Sequence, residues 1–231
     1  MQTSAHQPGR MKDPRDRASL HSCPAICSAL FVRADSIYKT MAGVDAYDIT
    51  RDARTFRTGP IVAHPPCRAW SSLKAFAKPP PGERRLAIWA VLQIRRHGGV
   101  LEHPKGSSLW PTMRLPKPGW LPDEWGGYTI EVDQFHWGHR ARKRTWLYIV
   151  GTLDLPPMPR RPGEPTHVID RPGSARKRER PNSAGLRPWV TKREREATPP
   201  EFAQWLVELA RRCAPNNQAQ RPALGGKDKR E

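Results

Sequence analysis

The chain has 231 residues, with 40 Lys and Arg against 22 Asp and Glu, and a net charge of +18. That length supports one core of ordinary size rather than two independent domains, and the positive excess favours a polyanionic partner, nucleic acid first. Four cysteines, Cys23, Cys27, Cys67 and Cys213, are too few and too irregularly spaced for a disulfide framework, and no apolar run reaches the roughly 18 residues of a membrane span, so a cytoplasmic compartment is expected.

Residues 1–28 mix Gln, His, Pro, Gly, Arg and Ser without periodicity and are expected to be a disordered extension. His21, Cys23 and Cys27 find no further pair that would complete four metal ligands. The folded domain is placed at 29–213. Ala29-Leu-Phe-Val-Arg-Ala34 predicts a first strand ending at Asp35-Ser36, Val44-Asp-Ala-Tyr-Asp-Ile49 a second, and Ile61-Val-Ala-His64 a third. Beyond Gly82, residues Leu86, Trp89, Ala90 and Ile94 fall at helical spacing, with Arg84, Arg85, Arg95 and Arg96 toward the other side, and the helix stops at Gly98-Gly99. Val100-Leu-Glu-His-Pro104 reads as a buried strand, so strand, helix and strand recur in the order of a parallel sheet and an α/β fold. Tyr128–Asp133 and Thr145–Val150, joined by a short basic segment, predict an antiparallel pair at one edge. Residues 155–198 are rich in Pro, Arg and Gly and predict an extended loop. Apolar positions 202, 205, 206 and 209 mark a final amphipathic helix, and residues 214–231 a disordered tail.

Three segments carry the chemistry. His64-Pro-Pro-Cys67 breaks a buried strand at two rigid prolines and presents a thiol at the carboxyl edge, where open α/β sheets place their sites. Cys67 is a nucleophile there, or else an inert thiol behind a turn. Glu102-His-Pro104 leaves the next strand; its carboxylate is an acid–base group or the partner of a nearby arginine. His136-Trp-Gly-His-Arg-Ala-Arg-Lys-Arg-Thr145 is a phosphate- or base-gripping segment or a solvated hairpin connection. His64, His103 and His139 read as packing or turn residues, and Trp70, Trp89, Trp110 and Trp137 as packing aromatics.

In order and spacing these segments resemble the DNA cytosine-5 methyltransferases over about residues 29–151, more loosely to 210. The resemblance is closest to the abbreviated methylase-like proteins of phages and prophages. It implies a compact, Rossmann-like sheet, mostly parallel with an antiparallel edge pair, and S-adenosylmethionine as methyl donor. Cys67 would add to carbon 6 of a flipped or single-stranded cytosine, Glu102 would bond or protonate ring nitrogen 3, and Arg142 or Arg144 would grip the base carbonyl or a phosphate. Toward the donor it implies Asp35 and Ser36, Asp45 at the ribose, Asp48 and Ile49 at the adenine, and Pro65. Toward DNA it implies Arg68, Arg140 and Lys143, with Arg176, Lys177 and Arg178 from a basic loop, 155–195, standing in for a target-recognition domain. The chain departs from the family at Val32-Arg-Ala-Asp-Ser-Ile37, where a Phe-x-Gly-x-Gly loop is the rule, and at Arg140-Ala-Arg-Lys-Arg, which lacks the glutamine of Gln-x-Arg-x-Arg. A degenerate methylase fold serving as a DNA-binding or regulatory protein is the alternative.

Overall fold

The computed structural model describes residues 26–71, 74, 77–169 and 187–215. Strands β1 (Cys27–Leu30), β2 (Val44–Tyr47), β3 (Ile61–Ala63), β4 (Gly99–Pro104), β5 (Tyr128–Asp133) and β6 (Arg144–Val150) form one sheet in the order β2-β1-β3-β4-β6-β5. The β1–β2, β1–β3 and β3–β4 pairings are parallel, whereas β6 runs against both of its neighbours, β4 and β5. The sheet is therefore mixed. The β5–β6 pair was expected, but of the two only β5 is an edge while β6 lies inside the sheet, so a second antiparallel pairing, with β4, adds to the edge hairpin.

Both faces are covered, which is why β3 is apolar at every position. On one face Ile61, Ala63, Leu101, Tyr148 and Val150 pack with Ala87, Ala90, Val91 and Ile94 of helix α1 (Glu83–His97). On the other, Val62, Val100, Leu147 and Ile149 meet Phe202, Leu206 and Leu209 of helix α4 (Pro200–Arg212). The alternation of strand side chains decides which residue faces which helix. It also places His64 and Glu102, one step after Ala63 and Leu101, on the α4 side.

Helix α1 ends at Gly98, whose N–H bonds the Ile94 carbonyl, and the chain enters β4 through Gly99 at φ +135°. A Cβ at Gly99 would sit 2.2 Å from the Ile61 carbonyl oxygen, so glycine is what lets β4 lie against β3. Arg95, expected on the polar side of α1, is instead buried; it bonds the Tyr148 hydroxyl, the Met113 carbonyl and Asp123 and stacks on Trp125 at 3.5 Å.

Several boundaries differ from expectation. Strand β1 starts at Cys27, so Cys27 and Ser28 are buried sheet residues rather than part of the extension. The strand ends at Leu30, and Phe31 turns away with φ of +61°. Residues 1–25 and 216–231 lie outside the described residues, but Ala214, at the start of the expected tail, donates its N–H to the Gly151 carbonyl. Two short helices were not anticipated, α2 (Leu109–Met113) and α3 (Lys192–Glu196). The second interrupts the expected loop 155–195, whose Arg176, Lys177 and Arg178 fall outside the described residues. Among the described residues no helix is long and apolar enough to cross a membrane.

Gly99→Ala is expected to destabilise the protein by roughly 2 kcal/mol or more, because strain and a backbone clash combine. Gly106→Ala, also at positive φ but with open space around it, should cost only about 1 kcal/mol. Urea midpoints at neutral pH measure both.

Candidate active site at the carboxyl ends of β3 and β4

The parallel register sets Ala63 beside Leu101, so the residues that follow, His64 and Glu102, emerge side by side. His64 keeps the β1 ladder going by donating its backbone N–H to the Leu30 carbonyl. Its Nδ1 lies 3.0 Å from Glu102 Oε2 and its Nε2 lies 2.9 Å from the Tyr38 hydroxyl. The other carboxylate oxygen of Glu102 accepts from Gln134 Nε2 at 3.2 Å, and the same nitrogen donates to Thr145 Oγ1 at 2.9 Å. Gln134 is buried, and its Oε1 has no hydrogen-bond partner.

Burial alone would raise the Glu102 carboxyl, but the hydrogen bond and charge of His64, then the charge of Lys143, outweigh it and bring it from 4.5 to about 2. Glu102 is therefore ionised at neutral pH and only accepts. The hydrogen between it and His64 belongs to Nδ1, and Nε2 on the far side of the ring is the partner of the Tyr38 hydroxyl. Burial, then the charge of Glu102, holds the Tyr38 hydroxyl well above its usual range, so that proton stays in place. Tyr38, His64 and Glu102 make a directed chain ending on a carboxylate.

Cys67 follows the two prolines at the edge of this cleft. Its carbonyl accepts from Trp70 and Ser71, closing a turn, and Trp70 is anchored in the core with its own carbonyl held by Ser108. His103, on the opposite side of β4 from Glu102, bonds Ser107 Oγ at 2.8 Å and turns Nε2 toward the Pro65 and Pro66 carbonyls without a well-formed bond. Burial keeps that ring neutral, lowering it to about 4, so it braces the Pro-Pro segment from below. Burial and then the Glu102 charge push the Cys67 thiol up, while Lys143 pulls it down.

Lys143 is the cation of the site. The residue is only half-buried, but its ammonium turns inward, donating to the Ala197 carbonyl at 3.0 Å and acting on Glu102, Cys67 and Glu196. Burial lowers its pKa, and those three acidic groups oppose the shift. Expected as a DNA contact, it has its ammonium directed inward. Arg142 and Arg144, expected at the base carbonyl or a phosphate, are exposed, with Arg142 on Asp133 and Glu164 and Arg144 near Glu131. Arg140 makes a two-pronged pair with Glu194 at 2.6 and 2.5 Å. Arg68 sits on Glu83 at the start of α1. Tyr38, His64 and Gln134 were not singled out from sequence for this site.

The carboxylates expected to meet S-adenosylmethionine are each engaged within the chain. Asp35 is paired with Arg33 and Arg193, and Asp45 with Arg51. Asp48 accepts from the Thr50 backbone and hydroxyl and from the Arg51 backbone, and it is ion-paired with Lys39. Ser36 only opens the 3-10 turn Ile37–Thr40, Pro65 is buried, and Ile49 is 92% exposed. No glycine occurs between Phe31 and Ala42 to admit a ligand against the backbone. Among the described residues no cluster of His, Cys, Asp and Glu could hold a metal ion.

Because Glu102 is depressed in the fold, its stabilising contribution is complete above about pH 4.5 and fades toward pH 2. Glu102→Gln should therefore lower the melting temperature at pH 7, and its deficit against the wild type should narrow by pH 3.5, as differential scanning fluorimetry will read. No protein-family model, curated protein or solved structure matches the chain.

Proposed function

We propose that the chain is a DNA-modifying enzyme of the cytosine-5 methyltransferase type, holding an extrahelical cytosine between the β3 and β4 exits and attacking carbon 6 through Cys67. One observation carries this reading: the thiol just past β3 and the carboxylate on the neighbouring parallel strand β4 lie within each other's electrostatic reach, with His64 joined to the carboxylate. The sheet supports it. Strands depart from β1 toward β2 on one side and β3 on the other, which makes the β1–β3 exit a switch point of the kind where Rossmann-like sheets bind ligands.

At rest the proton is on sulfur and the carboxylate is bare. As the Cys67 S–H bond breaks, that proton passes to Glu102, and from Glu102 to ring nitrogen 3. The C6–S bond forms, the 5,6 double bond shifts to the 4,5 position, and the 3,4 double bond becomes single. Carbon 5 is left nucleophilic, with no oxidant or reductant required. Gln134 Oε1, unpartnered beside Glu102, is an acceptor available to the exocyclic amine. S-adenosylmethionine is the methyl donor that the resemblance implies.

One observation favours a second reading. With Asp35, Asp45 and Asp48 all neutralised within the chain, the fold also suits a methylase-type protein retained by a phage or prophage for DNA binding or regulation.

DNA carrying 2-pyrimidinone in place of one cytosine lacks the 4-amino group and is more electrophilic at carbon 6, so it should form a covalent complex with the wild type on a denaturing gel. Cys67→Ser should form none, and labelled S-adenosylmethionine should leave its methyl on ordinary DNA. No adduct, with DNA binding indifferent to Cys67→Ala, would overturn the nucleophile and select the second reading. An adduct without methyl transfer would separate the addition chemistry from the donor.

A further inference from the structure

We propose that helix α3 is an acidic strap laid over the active-site cleft, and that its carboxylates occupy a phosphodiester-binding rim formed by Arg33 and Arg140. This rests on the reading of DNA as partner, and not on the methyl-transfer chemistry.

The strand order locates the strap. Arg33 follows β1 and Arg140 precedes β6, so the two arginines flank the β3 and β4 exits that carry Cys67 and Glu102. From α3, Glu196 pairs with Arg33 at 3.0 Å and Glu194 with Arg140 at 2.6 and 2.5 Å. Arg193 adds a contact to Asp35 at 3.0 Å, and the Ala197 carbonyl, just past the helix, takes the Lys143 ammonium. Its last carboxylate, Glu196, acts on Cys67 and Lys143. The strap thus spans the cleft mouth from one side to the other.

Ion pairs and contacts to its backbone from His139 and Lys143 hold it down, with no apolar packing of its own. Five residues are too few for a stable helix in isolation, and none of the five is buried. Exposed ion pairs contribute about 0–1 kcal/mol each and weaken as salt rises. Fixed points lie outside it, in buried Val190 on one side and α4 on the other, so the segment can lift without disturbing the core. The two-pronged carboxylate grip on Arg140 is also the geometry in which a guanidinium takes a phosphate. In a chain of net charge +18, a DNA backbone competes for both arginines with more negative charge than two glutamates supply. Once the strap is displaced, the cleft is open to the base.

The test compares Glu194→Gln/Glu196→Gln with a control of equal charge change far from the cleft, Asp154→Asn/Glu208→Gln, whose carboxylates pair with Arg212 at the other end of α4. Binding of a fluorescent 20-nucleotide single strand is followed across a salt series. Freeing Arg140, and releasing Arg33 from one of its two carboxylates, should tighten binding by about tenfold over the control near 0.1 M salt and steepen the logarithmic salt slope by about one. Alkylation of Cys67 by iodoacetamide without DNA, followed by peptide mass, should also accelerate several-fold in the strap variant. Equal binding and equal alkylation in the two variants would overturn the strap and leave the DNA reading standing. DNA binding by none of the proteins would overturn the nucleic-acid reading, and this assignment with it.

Discussion

A carboxylate buried beside an imidazole, where two neighbouring parallel strands leave the sheet, sets the terms for everything around it. The His64–Glu102 contact exists because β3 and β4 are hydrogen-bonded in a register that pairs Ala63 with Leu101. That register exists because Gly99 lets the backbones approach. Once Glu102 is placed there largely out of solvent, it must be compensated or neutralised. The chain compensates it, with an imidazole N–H on one oxygen, a glutamine amide on the other and a lysine ammonium nearby. Tyr38, His64, Gln134 and the Lys143–Thr145 stretch come from four separate segments, and all are tied directly or through one neighbour to this one charge.

The same rule explains where the basic surface is spent. A net charge of +18 suggests a free cationic face, yet the described arginines nearest the cleft are matched to carboxylates: Arg68 to Glu83, Arg140 to Glu194, Arg142 to Asp133 and Glu164, Arg33 to Asp35 and Glu196. These pairs are mostly exposed and individually weak. They act less as stabilising elements than as placeholders on guanidinium groups that a stronger polyanion can claim. Lys143 differs in kind, because its partners lie inward and bulk solvent screens it less.

Sequence made the sheet legible and the site only partly so. The apolar runs at β3, β4 and β6, the glycine pair ending α1 and the amphipathic pattern of α4 all report local burial, and each element stands within a residue or two of its expected place. Cys67 and Glu102 could be paired in advance because both follow strands that a strand–helix–strand order makes neighbours. In the basic segment the resemblance pointed to Arg142 and Arg144, but side chains alternate along an extended chain, and there Ala141, Lys143 and Thr145 turn inward while the arginines turn out. Parity would have singled out Lys143. Tyr38 and Gln134 carry no comparable local signal, since their role depends on 3-10 turns that bring them to the cleft from distant segments. Helix α3, polar on all sides, gives no periodic pattern to read; only its Thr191 cap marks it.

For the cytosine chemistry proposed above, the resting charges look wrong, with a protonated thiol and an ionised carboxylate where attack would need a thiolate and an acid. The two descriptions contain the same number of protons. Moving one proton from Cys67 to Glu102 converts the first into the second, and the negative charge then travels from carboxylate to sulfur. Lys143 interacts with both ends of that path, so its attraction is not lost when the charge moves, only redirected. A fixed cation that serves either location lowers the cost of the shift without favouring its premature occurrence, because burial of the sulfur still opposes the thiolate until a base fills the cleft. An arginine from the hairpin, bound to its own carboxylates and facing solvent, does neither. Under the proposed reading the inward lysine is thus the residue that makes the site chemically coherent, and a cytosine taking the proton at nitrogen 3 would complete the transfer.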